Sequence, residues 1–212
     1  GLTANITPKP ISVSGLIAGD LIYNGGTLTT LTGTATLTNG ASSATDNKFY
    51  TADSVALLGT GVGNFADANV GTTKTVTLTG YTLSNSNYTL VQPSGLVANI
   101  TPKALTLSGT TVADKVYDRT NIATISTLGS LQGIVGTDSV SIAGGSSAIF
   151  TLGSNVTCSA TCNGSNVSAQ GVTLTMGLTG SAASNYTLLQ PAGLTASITA
   201  APLGIAVSAV YG

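Results

Sequence analysis

The residues best equipped for chemistry in this chain are two cysteines, seven aspartates and five lysines. Every acid is an aspartate; there is no glutamate and no histidine. General acid–base catalysis draws first on histidine and then on carboxylates of matched pKa. A Ser-His-Asp triad or a Cys-His pair cannot be assembled from this inventory. Paired aspartates are the one remaining catalytic route, yet the seven are scattered and mostly sit in turn-forming surroundings. The chain is therefore read as non-catalytic and without a cofactor.

Metal binding is poorly provided for. There is no Asp-x-Asp-x-Asp-Gly loop and no His/Cys cluster, so zinc and EF-hand calcium sites are not expected. The only arrangement the acids suggest is a surface Ca²⁺ at Asp114 or Asp118 with backbone carbonyls, and turn roles are the plainer reading. Cys158 and Cys162 form the only cysteine pair and lie in a Ser/Thr/Asn/Gly-rich stretch. In an oxidising compartment they are expected to close a small loop disulfide. In the chain-entropy view this is worth about 2 kcal/mol. Lys9, Lys74 and Lys103 raise the idea of Lys–Asn isopeptide links, which need a buried lysine, an asparagine and an acid in contact. Gln170 or Gly171 stands near the place of Lys74 in the second half, which argues against them. Asn-x-Ser/Thr sequons occur at Asn5, Asn87, Asn99, Asn155, Asn163, Asn166 and Asn185. They are candidate sites of surface glycosylation.

The elements that must carry these residues repeat. Gly1-Leu-Thr-Ala-Asn-Ile-Thr-Pro-Lys9 returns as Gly95-Leu-Val-Ala-Asn-Ile-Thr-Pro-Lys103, and again, eroded, from Gly193 to Ala201. Ser86-Asn-Tyr-Thr-Leu-Val-Gln-Pro93 matches Ser184-Asn-Tyr-Thr-Leu-Leu-Gln-Pro191, and Asp20-Leu-Ile-Tyr23 matches Asp114-Lys-Val-Tyr117. The period of 94 to 98 residues is too long for a solenoid coil or propeller blade and suits a small autonomous domain. Tyr23, Tyr117 and Tyr211, and likewise Tyr88 and Tyr186, recur in register. Core anchoring with a satisfied hydroxyl is the expected role; sugar stacking is the alternative. The expected division is 1–8 as the end of a preceding module, 9–101 and 102–200 as two modules, and 201–212 as the start of another. The opening at Gly1, with no charged and apolar leader, and the abrupt end at Gly212 read as a piece of something longer without its own signal peptide.

Composition sets the fold class. Only 6% of residues are charged, 42% are hydrophobic, and the formal net charge is −1. About one residue in six is threonine. Six cations cannot form a nucleic-acid-binding stripe. Helical surfaces need Glu, Lys, Arg and Gln, which are scarce. No apolar run approaches the roughly 18–20 residues of a membrane helix. Strict alternation marks Ala104–Ser108, Thr75–Thr79, Gly171–Thr175 and Leu96–Ile100 as half-buried strands. No stretch has convincing helical periodicity, and Ala41–Asp46 is the one place that could hold a short turn of helix. Each module is expected to be all-β, most simply a small antiparallel Ig-like sandwich, with a grasp-like module as alternative. One or two residues at the Ile-Thr-Pro-Lys junction predict a semi-rigid rod.

Asp114-Lys-Val-Tyr-Asp118 followed by Arg-Thr resembles the Lys-Val-Tyr-Asp-Gly-Thr opening of bacterial YDG-type adhesin repeats. The resemblance continues through Asn64–Gly71, Lys74–Thr79, Asn87–Leu90 and Ile100–Leu105. Ile198–Leu203 to Val210-Tyr-Gly212 is similar to the start of MBG repeats. There are departures: Tyr23-Asn-Gly replaces Tyr-Asp-Gly, Arg119 stands where the family has glycine, and the second module has an insertion around Cys158. The resemblance implies a large secreted or surface-bound bacterial protein of the filamentous-haemagglutinin kind, and it carries over no active site. The functional expectation is an extracellular spacer in an adhesin stalk serving surface attachment or biofilm. Its partners would be neighbouring modules of the chain, homotypic copies, and a host or matrix surface contacted by other parts of the parent; nucleic acid and membrane insertion are not expected. Alternatives are a fibre subunit that polymerises through strand edges, and a carbohydrate-binding module.

Overall fold

The computed structural model describes residues 1–144, 146–151 and 169–204. Cys158, Cys162, Asn155, Asn163, Asn166 and Tyr211 lie outside the described residues. The chain divides into two compact units, Gly1–Lys103 and Ala104–Gly212. Among the described residues there is no α-helix, and the sheets curl in a barrel-like way.

In the first unit the strands are β1 (Lys9–Ala18), β2 (Leu21–Ile22), β3 (Leu28–Thr29), β4 (Leu31–Leu37), β5 (Leu57–Phe65), β6 (Gly71–Leu83), β7 (Tyr88–Val91) and β8 (Val97–Thr101). They form a sheet ordered β4-β1-β7 and another ordered β2-β8-β6-β5-β3. One crossing between the sheets takes a single residue, Thr30, which alone separates β3 from β4. Alternation buries one face of each strand. Ile11 and Val13 of β1, Phe65 of β5, Val76 and Leu78 of β6 and Leu96, Ala98 and Ile100 at β8 make the core.

The second unit holds β9 (Lys103–Ser108), β10 (Thr111–Ala113), β11 (Lys115–Val116), β12 (Ile122–Thr127), β13 (Ser130–Gln132), β14 (Ser141–Ile142), β15 (Ser147–Thr151), β16 (Ala169–Thr175), β17 (Leu178–Thr179), β18 (Tyr186–Leu188) and β19 (Leu194–Thr199). A six-stranded sheet runs β10-β12-β15-β16-β19-β11, beside β13-β9-β18 and β14-β17. Its core gathers Ala123, Ala148, Phe150, Val172, Leu174, Met176, Ala196 and Ile198, and Leu105 is fully buried.

The pairing is not uniformly antiparallel, which corrects the expectation. Strand β1 lies parallel to β7, β2 parallel to β8, and β11 parallel to β19. A parallel pair needs a long connection. Here the connection is nearly the whole unit, because strands from its start pair with strands from its end. The helical turn considered at Ala41–Asp46 is also corrected. It is a non-helical turn in which the Asp46 carboxylate accepts the Ser42 and Ser43 N–H groups at 2.6 and 3.1 Å. Such side-chain acceptance offers the backbone an alternative to the helix. The one helical segment described is a 3₁₀ turn at Ala183–Asn185.

Two backbone positions carry mutational consequences. Gly80 has φ +86°, and a Cβ there would lie 2.1 Å from the Thr60 carbonyl oxygen, where β5 and β6 shift register. Arg119 has φ +70°, while Gly25, its counterpart 94 residues earlier, has φ +78°. The same left-handed corner is thus built from glycine in one unit and arginine in the other. A side chain in that region costs roughly 1–2 kcal/mol, against a glycine entropy penalty of about 0.5–1 kcal/mol. Arg119→Gly should therefore stabilise by about 0.5 kcal/mol in urea melts, whereas Gly80→Ala should destabilise by about 2 kcal/mol or more.

Candidate functional site: the repeated polar anchors

The polar side chains that recur between the units are spent on holding backbone. Asp20 accepts the Asn99 backbone N–H at 2.8 Å and its side-chain Nδ2–H at 3.0 Å. Asp114 accepts the Ser197 N–H at 2.6 Å in the matching place. Each carboxylate ties the approach to β2 or β11 onto the closing strand. The N–H of Tyr23 donates to the Thr101 carbonyl, and that of Tyr117 to the Thr199 carbonyl, both at 2.8 Å.

A second anchor was not visible in the repeat comparison. The Tyr88 hydroxyl donates to Asp53 and accepts the Tyr50 N–H at 3.1 Å. The Tyr186 hydroxyl donates to Asp138 at 2.5 Å and accepts the Val135 N–H at 2.9 Å. In both units the aspartate closes a turn, its N–H donating back to the Tyr50 or Val135 carbonyl. Burial, and next the Asp53 carboxylate, push the Tyr88 hydroxyl above its usual pKa. The available signal was the Asp-Ser-Val triplet at 53–55 and 138–140, whose 85-residue offset differs from the main period.

A third anchor uses glutamine as a substitute strand. Gln92 accepts the Leu78 N–H at 2.7 Å and donates to the Leu78 carbonyl at 2.8 Å. Gln190 does the same to Met176, at 2.9 and 2.8 Å. One planar amide presents a donor and an acceptor at the spacing a neighbouring backbone would.

Three of the five lysines are ion-paired. Lys9 meets Asp46 at 2.7 Å and lies 5.8 Å from the Tyr50 ring centroid. Lys74 meets Asp67 at 2.6 Å and donates to the Asn69 carbonyl at 2.7 Å. Lys115 meets Asp118 at 2.7 Å and donates to the Thr120 and Ile122 carbonyls at 3.1 and 3.0 Å. Lys115, and next the Thr120 N–H, hold Asp118 down at about 2. Lys9 and the Ser42 N–H hold Asp46 well below the carboxylate range. Asp67 is lowered chiefly by Lys74, and Asp20 chiefly by the Asn99 N–H.

All seven aspartates are thereby committed to internal partners, and no two share a proton. Among the described residues no three acids or cysteines gather as a metal site. Asp118 is engaged by Lys115, and Asp114 by Ser197, so the structure does not assemble the calcium arrangement considered from sequence. The tyrosines Tyr23, Tyr88 and Tyr186 are buried, and Tyr117 is half-buried. The buried ring faces are not open to a stacked sugar. Of the described sequon asparagines, Asn5 and Asn87 are exposed. Asn99 bonds Asp20 and accepts the Thr73 N–H at 2.8 Å. Asn185 is 4% exposed, which removes it as a sugar acceptor in the folded unit.

Two outcomes follow. Tyr186→Phe leaves Asp138 and the Val135 N–H short of a partner and should cost about 1–3 kcal/mol in chemical denaturation. The aspartates at 20, 46, 67 and 118 have native pKa values below the ordinary 3.8. Below pH 3.8 the unfolded chain binds more protons than the native one, so stability is full above about pH 5 and is lost towards pH 2. With no histidine, the melting temperature should be flat between about pH 5 and 8. Calorimetry across pH 2–8 checks both limbs.

Compared with known families, the chain matches the YDG domain over residues 7–95 and again over residues 101–196. Neither the curated proteins nor the solved structures contain a match. Two consecutive matches cover most of the 212 residues, and the chain belongs to the YDG domain family.

Proposed function

We propose that this chain is a non-catalytic spacer, two YDG units from the stalk of a bacterial extracellular adhesin. The observation that supports this most directly is the repeated expenditure of polar groups inside the fold. Seven carboxylates, two glutamines and three of the lysines all close turns or strands, in two units built alike. The surface around these ties is mainly hydroxyl, amide and aliphatic, and its exposed carboxylates, among them Asp67 and Asp118, are engaged within their own unit. Only Pro102 separates β8 from β9, so one unit begins almost where the other ends. Such a chain is suited to setting a distance and bearing load. On this reading the parent protein lies outside the cell or on its surface, where it serves attachment or biofilm, and the contact with a host or matrix surface is made elsewhere in the parent. The finer fold reading that we carry is an Ig-like sandwich for each unit, built in the first from its two sheets and in the second from its six-stranded and three-stranded sheets, and an MBG-like segment at 201–212.

A second reading has one observation in its favour. Ile22 and Leu28 of the first unit and Val116 and Ile122 of the second are exposed at matching positions. Ile22, Leu28 and Val116 lie on two-residue strands at sheet edges, and Ile122 opens the longer strand β12. Exposed apolar edges invite pairing between chains. This supports a self-assembling fibre.

Single-molecule pulling separates the cases. The spacer should give two discrete unfolding events, each releasing roughly 30 nm of chain for a 94-residue unit, with electron micrographs showing unassociated particles. Ordered filaments at micromolar concentration would favour the fibre. A single event spanning both units would sink the spacer.

A further inference from the structure

Asn-Gly is the pair at which a polypeptide most readily attacks itself. The glycine nitrogen can close on the preceding side-chain amide, and glycine carries no Cβ to obstruct that approach. The pair occurs at Asn24-Gly25, Asn39-Gly40 and Asn163-Gly164. The third lies outside the described residues. The other two are held differently.

Asn24, Gly25 and Gly26 are all exposed and follow directly on the buried Tyr23. The Asn24 Oδ1 accepts the Gly26 N–H at 2.8 Å. That bond folds the side chain back over its own following peptide, so Cγ and the Gly25 nitrogen belong to one hydrogen-bonded ring. It also sets a donor on the oxygen that gains charge when Cγ is attacked, the arrangement that stabilises an oxyanion. Asn39 and Gly40 are exposed too, but the backbone around them is tied. The Thr38 carbonyl accepts the Phe49 N–H and the Ala41 N–H donates to the Phe49 carbonyl, both at 3.0 Å, with Asn39 bridged to Phe49. Rotation of the Asn39–Gly40 peptide towards its side chain would strain those bonds.

The second unit shows that the first corner has room for the product. Asp118, the counterpart of Asn24, accepts the Thr120 N–H at 2.9 Å through Oδ1, as Asn24 does with Gly26. Arg119 and Gly25 share the left-handed backbone, with φ +70° and +78°. A carboxylate therefore fits this turn. Its surroundings differ in one respect: Lys115 pairs with Asp118 at 2.7 Å, whereas Leu21 stands at that position in the first unit.

We propose that Asn24-Gly25 is a site of intramolecular modification whose only co-reactant is water. The Gly25 nitrogen bonds to Asn24 Cγ as the Cγ–Nδ2 bond breaks, and the proton that the nitrogen gives up leaves with Nδ2 as ammonia. Water then opens the resulting cyclic imide at one of its two carbonyls. Opening at Cγ gives aspartate, and opening at the backbone carbonyl gives its isomer with the chain routed through Cγ; either carries a carboxylate at position 24. That charge lies two residues beyond Ile22 at the edge of β2, where charge opposes pairing between chains. On the fibre reading a modified chain is the poorer subunit; the chemistry itself is independent of that reading.

The test uses the full chain, freshly purified and incubated at neutral pH in heavy-oxygen water, folded and in urea. Peptide mapping by mass spectrometry then follows each asparagine. In the folded chain the label should enter at position 24 about tenfold faster than at Asn39, a modest share of what an oriented donor contributes in a closed site. In urea the two rates should converge, because the dipeptides are the same. Gly25→Arg, which places at this corner the residue that the second unit has there, should slow conversion about tenfold by giving the attacking nitrogen a Cβ neighbour. Should that variant fail to fold, Asn24→Gln keeps an amide whose attack needs a larger ring, and conversion should stop. Equal rates at Asn24 and Asn39 in the folded chain, or an Asn24 that keeps its amide while the urea-unfolded chain converts, would overturn the proposal.

Discussion

Each unit depends on its last strand reaching back to a short strand near its start. Strands β8 and β19 run parallel to β2 and β11, and that pairing joins residues about 80 positions apart. The entropic cost of closing so long a segment rises slowly with length, but something must repay it. Burial of Leu96, Ala98 and Ile100 supplies most of the return. The Asp20 carboxylate adds direction by accepting both the backbone and the side-chain donors of Asn99. In the second unit the asparagine is lost, and Asp114 keeps only the backbone bond to Ser197. The backbone contact is the element common to both units, and the side-chain contact is an addition.

Once the ends are joined, the remaining chain must turn corners without helices and with few charges. Three devices do this. Tyrosine hydroxyls close turns through Asp53 and Asp138. Glutamine amides extend the ladder past Leu78 and Met176. Lysines gather loop carbonyls while an aspartate balances the charge. A hydrogen bond to a charged acceptor is stronger than a neutral one, so placing scarce carboxylates on buried or half-buried donors makes efficient use of seven acids. The same placement leaves the exterior nearly neutral. Threonine suits that exterior, since its branched side chain packs on a pleated surface while its hydroxyl meets water.

Much of this was legible in the residues. Alternation located the strand interiors: positions 96, 98 and 100 share a buried face, and Leu105 lies in the core where its pattern placed it. Period two is blind to direction, however, so the parallel pairs could not be read from it. The Asp53 and Asp138 turns were hidden because the loop before each differs in length between the units, which shifts their offset to 85 residues. Gln92 and Gln190 stood inside a recognised motif, but their role depends on a strand that reaches them from 14 residues away. Asn87 and Asn185 share the sequence Ser-Asn-Tyr-Thr yet differ in exposure. The 3₁₀ turn at Ala183–Asn185 carries the second inward, and no local feature of the shared tetrapeptide announces that.

The lysines show how the two units reach one solution by different residues. Lys74 of the first unit and Lys115 of the second have nearly the same surroundings: one aspartate within 2.7 Å, two loop carbonyls, and a side chain only 15% exposed. They are not repeat counterparts. Leu21 occupies the position of Lys115 in the first unit, and the second unit has no lysine at the position of Lys74. A half-buried ammonium must be matched by charge and by acceptors, or its desolvation is uncompensated. Each unit therefore carries lysine, aspartate and carbonyls as a set, on β6 in one and on β11 in the other. The constraint acts on the set, and the position is free to move. That is the pattern expected when such groups serve to tie loops to a β framework.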